Sequence, residues 1–216
     1  MNEHTMTTIL AGVSWLAGSC ISAELLGYWL HRLLHSGIVG FLSRSHMRHH
    51  MVLYGPLQPQ RSSKYRDTTR THISLGNIGA EWLVPAVLLI ALAAAVFRVF
   101  HVRALFQLIY FGTTVLWSFL MFSYLHDCMH VEGFWLERNP WLKHWFISAR
   151  QLHDMHHFLM NDQGLMNRNF GISFFLFDRL FGTLSKGGTT FNHEGYRAAM
   201  KKFSSVLDAS SSRETL

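Results

Sequence analysis

The sequence predicts an all-α integral membrane protein, with three clear transmembrane helices and room for a fourth, beneath a cytoplasmic helical cap. Three observations predict it: long apolar stretches, a one-sided distribution of Lys and Arg, and histidines gathered just beyond the apolar stretches. Charged residues make up 15% of the 216 and aromatics 14%, whereas soluble domains carry about 25% charged residues. The formal charge of +6 is spread along the chain rather than gathered into a patch. It reads as anchoring on the cytoplasmic side and attraction to anionic lipid, and not as nucleic-acid binding.

A membrane-spanning helix needs about 20 apolar residues. The first candidate runs uncharged from Thr5 to Ala23 and continues past Glu24 to Leu30. It lacks a basic leader and a small-residue cleavage site, so it reads as an anchor and not a signal peptide. The second runs from about Leu75 to Phe97, with Glu81 near its start and Pro85 inside. The third, Ala104 to Leu125, has no charge.

Between the first two spans lie Arg44, Arg48, Arg61, Lys64, Arg66 and Arg70 against one acid, Asp67, and many more Lys and Arg follow the third span. The positive-inside rule puts both segments on the cytoplasmic face, while Arg98 and Arg103 pull weakly the other way. Residues 31–75 and 126–216 are therefore expected on one side, at a bacterial inner membrane rather than the endoplasmic reticulum. One membrane-embedded domain is expected over 1–203, followed by a polar tail, 204–216. The run Gly171 to Gly182 is too short to span and reads as an amphipathic segment at the interface. Cys20 and Cys128 suggest neither a disulfide framework nor a zinc thiolate pair.

Fifteen histidines are a large excess. Ten fall into four groups, in an order that repeats. His31 and His35 form an HxxxH, and His46, His49 and His50 an HxxHH. His126 and His130 then repeat the first pattern, and His153, His156 and His157 the second. Residues three or four apart share a helix face, about 5–6 Å apart at Cβ, so two imidazoles can converge on one ion. In HxxHH the first histidine pairs with both later ones, and one turn can serve two neighbouring metals. His31 and His35 continue the first span until Ser36-Gly37 stops it, and His126 and His130 continue the third in the same way. The HxxHH groups fold back over them. His4, His72, His101, His144 and His193 stand outside this pattern and read as ordinary surface or core residues. So many imidazoles exceed what one ion takes and point to a di-metal site, although imidazole suits zinc, copper, iron and nickel alike.

With these boxes the chain resembles the fatty acid hydroxylase / sterol desaturase superfamily, integral membrane enzymes with a non-haem di-iron centre. The resemblance covers roughly residues 20–185. It includes Asn169-Phe-Gly171 and Phe177-Asp-Arg-Leu-Phe-Gly-Thr183, which are similar to the family's segment after its last histidine box. It implies that the ten boxed histidines hold two iron ions, with zinc able to replace iron in a purified sample, and that O2 is a co-substrate. It also implies supporting roles for Asn169 and Asp178, while Asp127 and Asp154 lie beside ligands and could orient an imidazole. The chain has no room for the cytochrome-b5-type domain of some members, so electrons are expected from a separate reductase or ferredoxin.

The activity implied is oxidation of a C–H bond in a lipid-like substrate, with hydroxylation favoured over desaturation by the same site. The substrate would enter laterally from the membrane. Trp29, Phe41, Tyr124, Trp135, Trp141 and Trp145 fit an interfacial aromatic belt better than a substrate route. A metal transporter should carry ionisable residues near the bilayer midplane, yet the spans hold only Glu24 and Glu81. A non-catalytic scaffold with a structural metal would not need two ions.

Overall fold

The computed structural model describes residues 2–38, 40–62, 80–187 and 190–204. Among these no strand forms: the regular elements are helices, joined by turns and loops that carry two isolated β-bridges. The helices are α1 (Glu3–Ser36), α2 (Gly40–Arg48), α3 (Ala80–Val99), α4 (Ala104–Ser118), α5 (His126–Met129), α6 (Lys143–Phe158), α7 (Leu176–Leu180) and α8 (His193–Lys202). A π-helical turn, His49–Leu53, extends α2, and a π-helical stretch, Phe119–Leu125, joins α4 to α5.

Two helices are long and apolar enough to cross a membrane, Thr5–Ser36 and Ala104–Met129. Their apolar residues face outward; Leu108, for one, is 71% exposed. A contiguous apolar surface of this kind marks contact with lipid or another partner rather than with water. The second expected span coincides with α3, in which Val87–Val99 is a described apolar stretch. Leu75 to Asn77 and most of the basic loop that set the expected topology, Lys64 to Arg70, lie outside the described residues, as does the tail beyond Ser204.

α1 packs along α4. Trp15 stacks on Phe106 with ring centres 5.7 Å apart and meets Phe97 edge-on at 5.6 Å. Farther along, Ser22 Oγ and the Tyr110 hydroxyl share a 2.7 Å hydrogen bond. At Gly27 α1 meets the π-helical stretch: a Cβ there would sit 2.0 Å from Phe122 Cζ, so a larger residue would have to displace that ring. α1 ends at Gly37, in the left-handed conformation (φ 69°), where glycine has no Cβ to clash.

Beyond that end the chain builds a layer of short helices. Leu125, Met129, Phe134, Phe146, Ile172 and Phe175 form one buried core under α6. Met47, Met51, Met160, Met166, Ala199 and Phe203 form a second, which seats α8. The expected amphipathic segment contains α7, with Phe175, Phe177 and Asp178 buried while Leu176, Leu180 and Phe181 face outward. Both cysteines are free thiols.

Candidate metal centre

All ten boxed histidines converge between α1, α2, α5 and α6, and they sort into two groups. His31, His35, His46, His50 and His156 form one; His49, His130, His153 and His157 form the other. Within each group the candidate ligand nitrogens lie within 4.8 Å of one another. His126 stands against the second group, its ring 4.7 Å from those of His49 and His153. Most of these rings are fully buried.

Helix phase explains the sorting. In each HxxHH the i and i+4 residues share a face and enter one group, His46 with His50 and His153 with His157. The i+3 residue lies about 60° from the i residue and about 100° from the i+4 residue, and it enters the other group, as His49 and His156 do. The two halves of the chain thus exchange one histidine each.

The nitrogens approach closely. His35 Nε2 lies 2.9 Å from His46 Nε2 and 3.0 Å from His156 Nε2, and His46 Nε2 lies 3.1 Å from His50 Nε2. In the second group His130 Nε2 is 3.1 Å from His153 Nε2. Four rings are oriented through their other nitrogen. His31 Nδ1 donates to the Phe170 carbonyl (2.6 Å), His156 Nδ1 to Arg168 (2.6 Å), His130 Nδ1 to Pro59 (2.6 Å) and His157 Nδ1 to Tyr54 (2.8 Å). A neutral imidazole has one N–H, so each of these rings turns a bare Nε2 lone pair inward. The buried Nε2 atoms of His31, His49, His126 and His157 have no hydrogen-bond partner. Buried polar atoms are otherwise nearly always satisfied, which makes these four inward lone pairs a fit for a cation.

Burial keeps the rings neutral. Desolvation first, and neighbouring imidazoles second, hold His46, His49, His50, His130, His153 and His156 well below the usual histidine range. His157 is pushed down to about 3, chiefly by burial. Neutral imidazole is the form that binds metal.

The carbonyl acceptors are themselves fixed. Asp178 accepts from the Phe170 and Gly171 N–H groups (2.7 and 2.6 Å) and from Thr183 Oγ1 (2.7 Å). Asn169, at φ 56°, donates to the Leu152 and Ser185 carbonyls and accepts from the Ser185 N–H. Asp154 accepts from Gln60 Nε2 at 2.7 Å, next to the Pro59 carbonyl. Asp127 lies 3.9 Å from His126 Nδ1, beyond hydrogen-bond range. Arg150 was not expected: it is buried, pairs with Glu137 at 2.6 Å, and donates to the Val131 carbonyl at 2.9 Å, just past His130. The signal for it was its place three residues before His153. His101, His144 and His193 are exposed, as surface histidines should be. His72 lies outside the described residues, and nothing is described of the His4 side chain.

A sequence model described as fatty acid hydroxylase matches residues 16–183, from the middle of α1 to the end of the Asp178 loop. The chain belongs to the fatty acid hydroxylase family. Comparisons with curated proteins and with solved structures return no match. Family membership and the two long apolar helices make this a membrane-associated, hydroxylase-type protein whose histidine groups could hold metal. The matched region takes in every boxed histidine as well as Asn169 and Asp178.

Proposed function

We propose that the protein is a membrane-bound di-iron oxygenase that uses O2 to hydroxylate a C–H bond of a lipid-like substrate. The observation that carries this reading is the division of adjacent histidines between two all-imidazole groups. Metal–imidazole bonds of about 2.0–2.1 Å put neighbouring ligand nitrogens about 3.0 Å apart in octahedral geometry. The four Nε2 pairs at 2.9–3.1 Å match that spacing.

One iron would be held by His31, His35, His46, His50 and His156, and the other by His49, His126, His130, His153 and His157. His126 completes the second set because each set then takes one HxxxH pair, one i,i+4 pair and one exchanged histidine. When bound, the two irons supply O2 activation and removal of hydrogen from an unactivated C–H bond. The chain's own part is to hold the Nε2 lone pairs inward through the four carbonyl acceptors, and to keep water out by burial. Asp178 and Asn169 hold the first pair of acceptors, and Gln60 with Asp154 steadies the second. Electrons would come from a separate reductase or ferredoxin, and the substrate would arrive through the membrane on the cytoplasmic side.

The test is lipid mass spectrometry of iron-replete cells expressing the chain or its His153→Ala variant. A lipid that gains one oxygen only with the intact chain supports hydroxylation. Loss of two hydrogens instead would assign desaturation to the same site. Unchanged lipids, together with no more than one metal ion per purified chain, would overturn the reading.

A further inference from the structure

Tyr54, a buried residue outside the histidine boxes, touches three histidines of the second group. Its ring stacks on His130, with centres 4.0 Å apart and planes 12° from parallel. It meets the His49 ring at 5.0 Å, with the planes 61° apart. Its carbonyl accepts from His157 Nδ1 at 2.8 Å. The π-helical turn His49–Leu53 brings it there. The Tyr54 N–H closes that turn on the His49 carbonyl at 2.9 Å, so the chain leaves the helix beside the group. Wide turns of this kind are common at functional sites.

The flat stack carries chemical information. Two neutral aromatic rings prefer an offset or edge-on meeting, because both faces are negative. A ring that carries positive charge is instead drawn to the face of a tyrosine. An imidazole takes on such charge when its lone pair goes to a metal ion, and more of it for ferric than for ferrous iron. His130 is held for that role, since Nδ1 donates to the Pro59 carbonyl and Nε2 is left for the metal. Arg150, the buried cation on this side, is already paired with Glu137. The first group is built differently. Phe170 meets His31 at 5.9 Å and His156 at 5.7 Å, with planes 82° and 64° apart, and stacks flat on neither.

We propose that Tyr54 is a positioning residue of the second metal, whose ring face favours the more highly charged state of the ion held through His130. The proposal rests on the two-iron reading and gives one iron a bias that ligand identity alone would not. The step it governs is a one-electron reduction. Ferric iron takes an electron from the external reductase or ferredoxin and becomes ferrous, and Tyr54 makes that step harder at the second iron.

Redox titration of the iron-reconstituted full chain, followed by ⁵⁷Fe Mössbauer spectroscopy, reads the ferric-to-ferrous ratio of each iron without any turnover. The second iron is the one whose signal His157→Ala weakens. Tyr54→Phe keeps the ring face and should leave both ratios within about twofold. Tyr54→pentafluorophenylalanine keeps the shape of phenylalanine but strips the negative charge from its face, so a folding defect does not confound it. At a fixed potential it should lower the ratio at the second iron about tenfold, a rise of about 59 mV in potential, and leave the first unmoved. An unchanged ratio in the fluorinated variant, or an equal shift at both irons, would overturn the role. So would a shift in Tyr54→Phe as large as in the fluorinated variant, which would assign the effect to the hydroxyl. A chain that takes up no second iron would overturn it together with the two-iron reading. The expected shift in a chain that oxidises no cellular lipid would leave Tyr54 its role and remove the oxygenase reading. Oxidised lipid with unshifted ratios would do the reverse.

Discussion

The two histidine groups are built from the same side chains but braced by different parts of the molecule. In the first, the carbonyls that orient His31 and His156 belong to the loop 168–170, held by Asp178 and Asn169, both fully buried. In the second, the carbonyls that orient His130 and His157 belong to the strap from Tyr54 to Pro59. That strap crosses the surface, with Leu57 exposed. It is held by Gln60 on Asp154 and by a short bridge in which Arg61 bonds the backbone of His130 and Glu132. The Tyr54 ring lies flat on His130, with centres 4.0 Å apart. Ligand identity alone therefore does not determine how firmly a site is held. The first group is braced from within the core and the second from its surface, so the second should exchange metal faster.

Acid breaks both groups at once and has the largest expected effect. A histidine held at about 3 when folded and near 6.5 when unfolded takes its proton first in the unfolded chain. Its contribution to stability is therefore complete above pH 6.5 and is lost as pH falls from there toward 3. For His157 alone the loss approaches about 2 kcal/mol by pH 5. Asp154 acts in the opposite sense: burial raises its carboxyl to about 6, so its protonation below pH 6 offsets part of the loss. Thermal melts of the metal-free protein should show a falling Tm between pH 6.5 and 5. A flat profile would mean that these rings are not buried neutral.

Asp178→Ala sharpens the comparison by attacking the first group alone. It orphans two buried N–H groups, at a cost of about 3 kcal/mol, and releases the Phe170 carbonyl from its register. A lowered Tm and metal loss from the first group ahead of the second are expected, read by metal analysis during chelator challenge. Arg150→Met is the counterpart for the second group. It removes the bonds to Glu137 and to the Val131 carbonyl at a cost of about 2 kcal/mol, since Glu137 is partly exposed. Metal loss should then begin at the second group. The smallest effect belongs to Gln60→Ala, which removes one hydrogen bond worth about 1 kcal/mol. It should speed metal release from the second group several-fold while leaving Tm nearly unchanged. If it affected the first group equally, the two would not be separately braced.

How much of this was legible in the sequence varies with the physics involved. Helix period is local, so the four boxes, their continuation of the apolar helices and the stop at Gly37 could all be read from spacing. So could the service of one HxxHH turn to two neighbouring groups, because its first histidine neighbours both later ones. The carbonyls of Tyr54, Pro59, Arg168 and Phe170 could not, because every residue carries a carbonyl and only the fold selects which one meets a ring. Asp127 and Asp154 looked suited to orient an imidazole by adjacency, but side chains of adjacent helical residues diverge, and Asp154 turns to Gln60 instead. Glu24 was visible only as a charge in an apolar run; its partners, Trp117 and Ser173, are far away in sequence.

The central claim is that adjacent histidines serve different irons, and ⁵⁷Fe Mössbauer spectroscopy with metal counting on His156→Ala and His157→Ala tests it most directly. The intact, reconstituted chain should hold two irons with distinct signals. Each single variant should weaken a different signal, and the double variant should weaken both. An intact chain with no more than one iron, or two single variants that lose the same signal, would contradict the account.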